Sequence, residues 1–120
     1  MKLTEHFTLE ELTYTDHRQF DNTPDEAAAA NLRRLARLLE DVRSLLSAPL
    51  LINSAYRSKA VNDAVGSKDS SQHRLGCAAD FRVSGMTPDQ VVRAIVKSPL
   101  PYDQIIREFD RWTHISVPNV

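Results

Sequence analysis

The side chains best suited to chemistry lie in two runs. The first is Ser71-Gln72-His73-Arg74-Leu75-Gly76-Cys77-Ala78-Ala79-Asp80, and the second is Trp112-Thr113-His114-Ile115-Ser116. Imidazole and carboxylate are good zinc ligands, and a catalytic zinc takes three protein ligands and keeps a fourth position for water. His73, Asp80 and His114 could supply those three. Gly76 lets the backbone turn between the first two, and Ala78 and Ala79 leave room beside an ion. The chain holds only four histidines and a single cysteine, Cys77, so a metal site must use His and carboxylate, and no internal disulfide can form. Taken singly, each residue has a plainer reading: a histidine satisfied within the fold, an aspartate serving as a cap or turn. A site requires Asp80 and His114 to sit on neighbouring strands. Thr113, Ile115 and Val117 would then point to the face opposite His114.

The run Ser71-x-His73-x-x-Gly76-x-Ala78-x-Asp80 resembles the first zinc-binding motif of the M15 peptidases. These are D-Ala-D-Ala carboxypeptidases and endopeptidases that share their fold with the hedgehog signalling domain. Trp112-x-His114-x-Ser116 resembles the strand carrying the family's last ligand. Ser54-Ala55-Tyr56-Arg57-Ser58, followed by Asn62, resembles the segment that supplies a substrate-site arginine, with Ala55 where glycine is usual. Phe7-Thr8-Leu9-Glu10-Glu11-Leu12 and Asp21-Asn22-Thr23-Pro24 resemble a small single-domain branch common in phages and prophages. The likeness covers nearly the whole chain in the right order. It implies one Zn2+ ion, an α+β fold and the peptide of the bacterial cell wall as substrate.

Such a peptidase also needs a carboxylate that takes a proton from water and passes it to the leaving amine. In many members that acid lies three residues before the last histidine. Here that position is Arg111, which cannot act as a base. The candidates are Glu108 and, as runner-up, Asp110. A three-residue loop, Phe109 to Arg111, pairs Glu108 with Trp112 and turns it to the face of His114, about 7–8 Å away along the diagonal. A two-residue loop would turn Glu108 to the wrong face. Hedgehog-like members also carry a Glu at the earlier spacing, so Glu108 is the expected base and Asp110 a turn residue. Arg57 is the expected partner of a substrate carboxylate or developing oxyanion, the alternative being an ion pair with Asp80 or another acid. Ser71 and Gln72 are expected to orient ligands or substrate. Trp112 is either a wall of the substrate pocket or part of the core, with core the safer reading. His6 and His17 read as surface or structural residues, and Cys77 as a small buried hydrophobe.

Helices and strands must position these residues. Phe7 to Leu12 reads as a short helix with Thr8 and Glu11 at capping-box spacing. Thr23-Pro24-Asp25-Glu26 reads as the start of the main helix with Thr23 at the cap. Its apolar stripe runs through Leu32, Leu35, Leu39, Val42 and Leu46, and Pro49 ends it. Leu50 to Asn53 is a strand candidate, Ser58 to Val65 a short helix capped by Ser58, and Gly66 to Gln72 a polar loop. Ala78 to Val83 reads as a strand. Thr87-Pro88-Asp89-Gln90 starts a helix that runs to about Lys97. Gln104 to Glu108 and Trp112 to Val117 read as a hairpin. Helices first and strands late predict an α+β fold, a small antiparallel sheet packed against helices.

Bulk properties exclude several functions. The 120 residues suit one domain over 1–120, with 42% hydrophobic and 26% charged residues. A net charge of −1 argues against a nucleic-acid partner, and Arg33, Arg34 and Arg37 read as the solvated face of the main helix. No apolar run has membrane-span length, so no membrane insertion is expected. Met1 to His6 lacks the apolar segment of a secretory leader, so the chain is expected to be made in the cytoplasm and to reach the cell wall or periplasm by other means. A phage lysis enzyme working with a membrane-opening partner is one such route. The expected function is hydrolysis of peptidoglycan stem peptides by a monomer. The competing reading, motivated by Arg111, is a non-catalytic zinc module of the wall or a virion.

Overall fold

Capping chemistry sets most of the element boundaries in the computed structural model, which describes residues 1–119. Helix α1, Leu9–Leu12, starts where the Thr8 hydroxyl accepts from the Glu11 amide at 3.1 Å. Helix α2, Glu26–Leu46, starts at Asp25 and not at Thr23. The Asp25 carboxylate accepts from the Ala28 amide at 2.8 Å, while the Thr23 hydroxyl turns back to donate to Asp21 at 2.6 Å. Asp caps at least as well as Thr, so Pro24 falls outside the helix. The helix closes at Ser47, whose φ of 51° is left-handed, two residues before Pro49. Strand β1 is Leu51–Ser54, one residue later than expected, and helix α3 is Lys59–Ala64 under a Ser58 cap. A short 3-10 helix, Gln72–Leu75, ends the predicted polar loop. Strand β2 is Ala78–Arg82. Helix α4, Pro88–Val96, opens with the full reciprocal box between Thr87 and Gln90. Strands β3, Ile105–Glu108, and β4, Trp112–Ser116, form the final hairpin.

The four strands make one antiparallel sheet in the order β1-β2-β4-β3, so the architecture is α+β. Because β2 and β4 are neighbours, Asp80 pairs with His114 and Phe81 with Thr113. The strand period of two then sorts the side chains. Ala79, Phe81, Thr113, Ile115 and Val117 go to the helix side. There Phe81 and Ile115 join Leu32, Leu35 and Leu39 of α2 and Val91 and Ile95 of α4 in one core. Burying each large member of that core contributes about 1.5–3 kcal/mol. The other face carries Asp80, Trp112, His114 and Glu108. One face therefore anchors the sheet and leaves the other available for polar chemistry. No helix among the described residues is long and apolar enough to cross a membrane.

Candidate metal centre

His73 is set by the 3-10 helix. Ser71 caps it, accepting from the His73 amide at 3.2 Å, and Gly76 closes it with φ of 76°. A Cβ at position 76 would stand 2.6 Å from the Ala28 carbonyl oxygen, so α2 packs against a site only glycine can fill. Gly76→Ala is expected to cost about 2–4 kcal/mol, from left-handed strain plus the clash. Urea denaturation measures this, and a loss under 1 kcal/mol (about a quarter of the upper figure) would show that the turn relaxes freely.

The His73 ring is buried, and its Nδ1 lies 2.6 Å from the Ala55 carbonyl oxygen. A carbonyl only accepts, so Nδ1 carries the proton and Nε2 presents a lone pair. That Nε2 lies 3.2 Å from Asp80 Oδ2, and His114 Nδ1 lies 2.9 Å from Asp80 Oδ1. Gln72 orients the second imidazole. Its Nε2 donates to Asp103 Oδ2 at 2.9 Å, which aims its Oε1 at His114 Nε2, 3.3 Å away. With Nε2 on the Gln72 oxygen, the His114 ring presents its Nδ1 edge to Asp80. Both contacts to Asp80 thus set a ring nitrogen against one of its carboxylate oxygens, the arrangement three ligands take around one shared cation.

Burial pushes the Asp80 carboxyl up, but the hydrogen bonds and charge of His114 and His73 outweigh it and bring the pKa to about 2. Asp80 is thus an anion at neutral pH. One ligand atom from each of the three residues lies within 4.8 Å of the others. A tetrahedral ion with bonds of about 2.1 Å spaces its ligands about 3.4 Å apart, close to the 3.2 and 2.9 Å pairs. The donor set and spacing fit a small divalent cation.

Arg57, half-buried, faces the same cleft. Its Nε donates to Asn62 Oδ1 at 3.2 Å, and an Nη donates to Ser71 Oγ at 3.4 Å. Burial lowers its pKa while Asp80 raises it. Among the described residues Arg57 forms no ion pair; Asp80 pairs with the two histidines instead. Asn62, fully buried, also donates to the Ser67 and Lys68 carbonyls, so the arginine is held by neutral groups and its charge is left for a ligand. Asn22 braces the same segment by accepting from the Ser58 amide at 2.7 Å and donating to the Tyr56 carbonyl at 3.1 Å.

The hairpin loop has three residues, and Glu108 pairs with Trp112. Phe109 and Asp110 take left-handed φ of 54° and 57°, and the Arg111 amide donates to the Glu108 carbonyl at 2.9 Å. Glu108 accordingly lines a cleft of about 480 Å³ together with His73, Asp80, His114, Arg57 and Trp112. Asp110 does not line it; exposed on the turn, it pairs with Arg107 at 3.4 Å. Trp112 is a cleft wall and not a core residue, because its face of β4 is the ligand face. Its indole N–H is shielded from solvent without a hydrogen-bond partner, so packing alone holds the ring. Ser71 lines the cleft, whereas the Gln72 side chain is committed to His114 and Asp103. His6 pairs with Glu40 away from the cleft, and Cys77 is buried, with its thiol pKa raised chiefly by that burial.

Sequence reasoning missed Asp103 and the Ala55 carbonyl. Both act through other residues, and neither has a side-chain pattern that announces it. Gln72→Leu is expected to weaken metal binding about 10–100-fold by freeing the His114 ring. A chelator-competition titration reads this directly, and unchanged affinity would remove any orienting role from Gln72.

The antiparallel sheet thus brings His, Asp and His together in a cleft as a cluster that could hold a metal ion, with a carboxylate and an unpaired arginine beside them. The chain belongs to the Peptidase M15 family, whose model matches residues 5–116. Membership places it among peptidases, and members of this family are typically zinc-dependent. No curated protein matches the chain.

Proposed function

We propose that this chain is a zinc-dependent peptidase that hydrolyses peptide bonds in peptidoglycan stem peptides, working as one catalytic unit over residues 1–120. The observation that carries the reading is one cleft lined by the His73–Asp80–His114 cluster, Glu108 and Arg57. Zinc held by the three ligands would polarise the scissile carbonyl and make water more acidic. Glu108 accepts a proton from the attacking water as its oxygen bonds to the carbonyl carbon. When the C–N bond breaks, Glu108 delivers that proton to the leaving amine nitrogen. Arg57, fixed by Asn62 and Ser71, binds a substrate carboxylate or the developing oxyanion. Trp112 supports the substrate against the wall of the cleft.

Mass analysis of purified peptidoglycan digested with and without a chelator tests the reading. New peptide termini that vanish with chelator and return with zinc are expected, and their masses identify the bond. Arg111, at the position where an acid is common, favours a second reading: a wall-binding zinc module without turnover. Stoichiometric zinc with no cleavage of any wall fragment would establish that module and overturn the peptidase.

A further inference from the structure

Arg111 takes no part in the mechanism above. It lines a separate cavity of about 390 Å³ with Arg82, Asn53 and Trp112. Trp112 also walls the metal cleft, so the two spaces adjoin across its ring. Arg82 lies two residues beyond Asp80 on β2 and shares its face of the sheet, about 7 Å along the strand. That is the reach of about two residues of an extended peptide whose scissile bond lies at the metal cleft.

Both arginines are exposed, and neither makes a side-chain hydrogen bond or ion pair among the described residues. The acids that could neutralise them are engaged elsewhere. Asp110, next to Arg111 in the chain, pairs with Arg107. Asp89, at the start of α4, pairs with Arg93 at 2.7 Å and with Arg107 at 3.3 Å. Glu108 lies across Trp112 in the metal cleft. Other unpaired arginines, such as Arg33 and Arg37, are exposed on α2 and line no described cavity. Outside the metal cleft itself, where Arg57 lies, Arg82 and Arg111 combine uncompensated charge with an adjoining concavity.

We propose that Arg82 and Arg111 form an anion subsite that binds a carboxylate of the substrate peptide one or two residues from the scissile bond. Two guanidinium groups can take one carboxylate through parallel N–H···O bonds, which a carboxamide cannot match. The proposal rests on the wall-peptide reading above and extends it to specificity. It also gives Arg111 a role: the position where an acid is common serves here to recognise the substrate.

Binding separates the two readings. Dissociation constants are measured by calorimetry on the zinc-loaded full chain, using two wall peptides that differ only in one free carboxylate against its carboxamide. The wild type is expected to prefer the carboxylate by about tenfold. Arg82→Gln and Arg111→Gln should each reduce that preference, and the double variant should abolish it without changing affinity for the carboxamide or the thermal midpoint. Equal binding of both peptides by the wild type, no binding of either, or a preference that survives in the double variant would overturn the subsite. A preference removed by the double variant with no hydrolysis of either peptide would uphold the subsite and refute the peptidase. Hydrolysis without preference would do the reverse.

Discussion

His114→Ala is expected to lower kcat/KM on wall peptide by more than about a thousandfold, because it removes one of three metal ligands and leaves a pair that cannot hold a catalytic ion at useful concentration. The fold should survive. His114 lies on the cleft face of β4, while on the other face Ile115 stays in the core and Thr113 stays buried, and the ladder to β2 is backbone. The variant also has a signature without metal. The depressed Asp80 carboxyl contributes stability that is present above its unfolded value near 3.8 and is lost as pH falls through about 2. A shift of that size is worth about 2 kcal/mol in metal-free protein. Removing His114 takes away a hydrogen bond and a charge that lower this pKa and leaves only those of His73 to oppose burial. The metal-free variant should therefore be less stable than the metal-free wild type at pH 6, and the gap should close toward pH 2. Metal content, kcat/KM and denaturation at the two pH values check the three parts separately. Full activity in this variant would end the metal mechanism.

The parts of this site that were legible in the sequence are those whose chemistry is local. Thr87-Pro88-Asp89-Gln90 contains every group its capping box uses, so α4 could be placed from four residues. The hairpin was legible once its loop length was set, since the period of two decides which way Glu108 faces. The start of α2 was misplaced because Thr23 and Asp25 can both cap, and only the Asp21 carboxylate, which draws off the Thr23 hydroxyl, breaks the tie. From sequence alone the 3-10 helix that carries His73 reads as the end of a loop. Its signals were Ser71 and Gly76 at its two ends, but a four-residue element has no periodicity to support them.

What was hidden depends on the order of strands in space. Placing β4 between β2 and β3 brings Asp80 against His114, and it also brings Arg82 beside Arg111. The first juxtaposition could be suspected because ligand chemistry demands it. The second could not, because arginines 29 positions apart carry no pattern of their own. The link from Asp103 through Gln72 to His114 likewise joins three segments, and its members look like ordinary loop residues until the sheet is assembled.

Glu108→Gln is expected to reduce kcat by about 10²–10⁴-fold while metal content and KM stay near wild-type values. The amide keeps the shape of the side chain and its place beside Trp112, but it cannot accept and return a proton. Asp110→Asn is the matched control, with an expected loss of less than about twofold. Asp110 is exposed, its carboxylate faces Arg107, and Asn tolerates the left-handed backbone that position 110 requires. Glu108→Asp should fall between the two, since it retains the acid but withdraws it by one methylene from the place where water must be met. The order of these variants carries more weight than any single rate. If Glu108 acts by proton transfer, activity follows Glu, then Asp, then Gln, and position 110 is nearly silent. If the carboxylate at 108 only contributes negative charge to the cleft, Asp should serve almost as well as Glu. A large loss from Asp110→Asn with Glu108→Gln active would place the base on the turn, and would require the hairpin to curl over the metal when substrate binds.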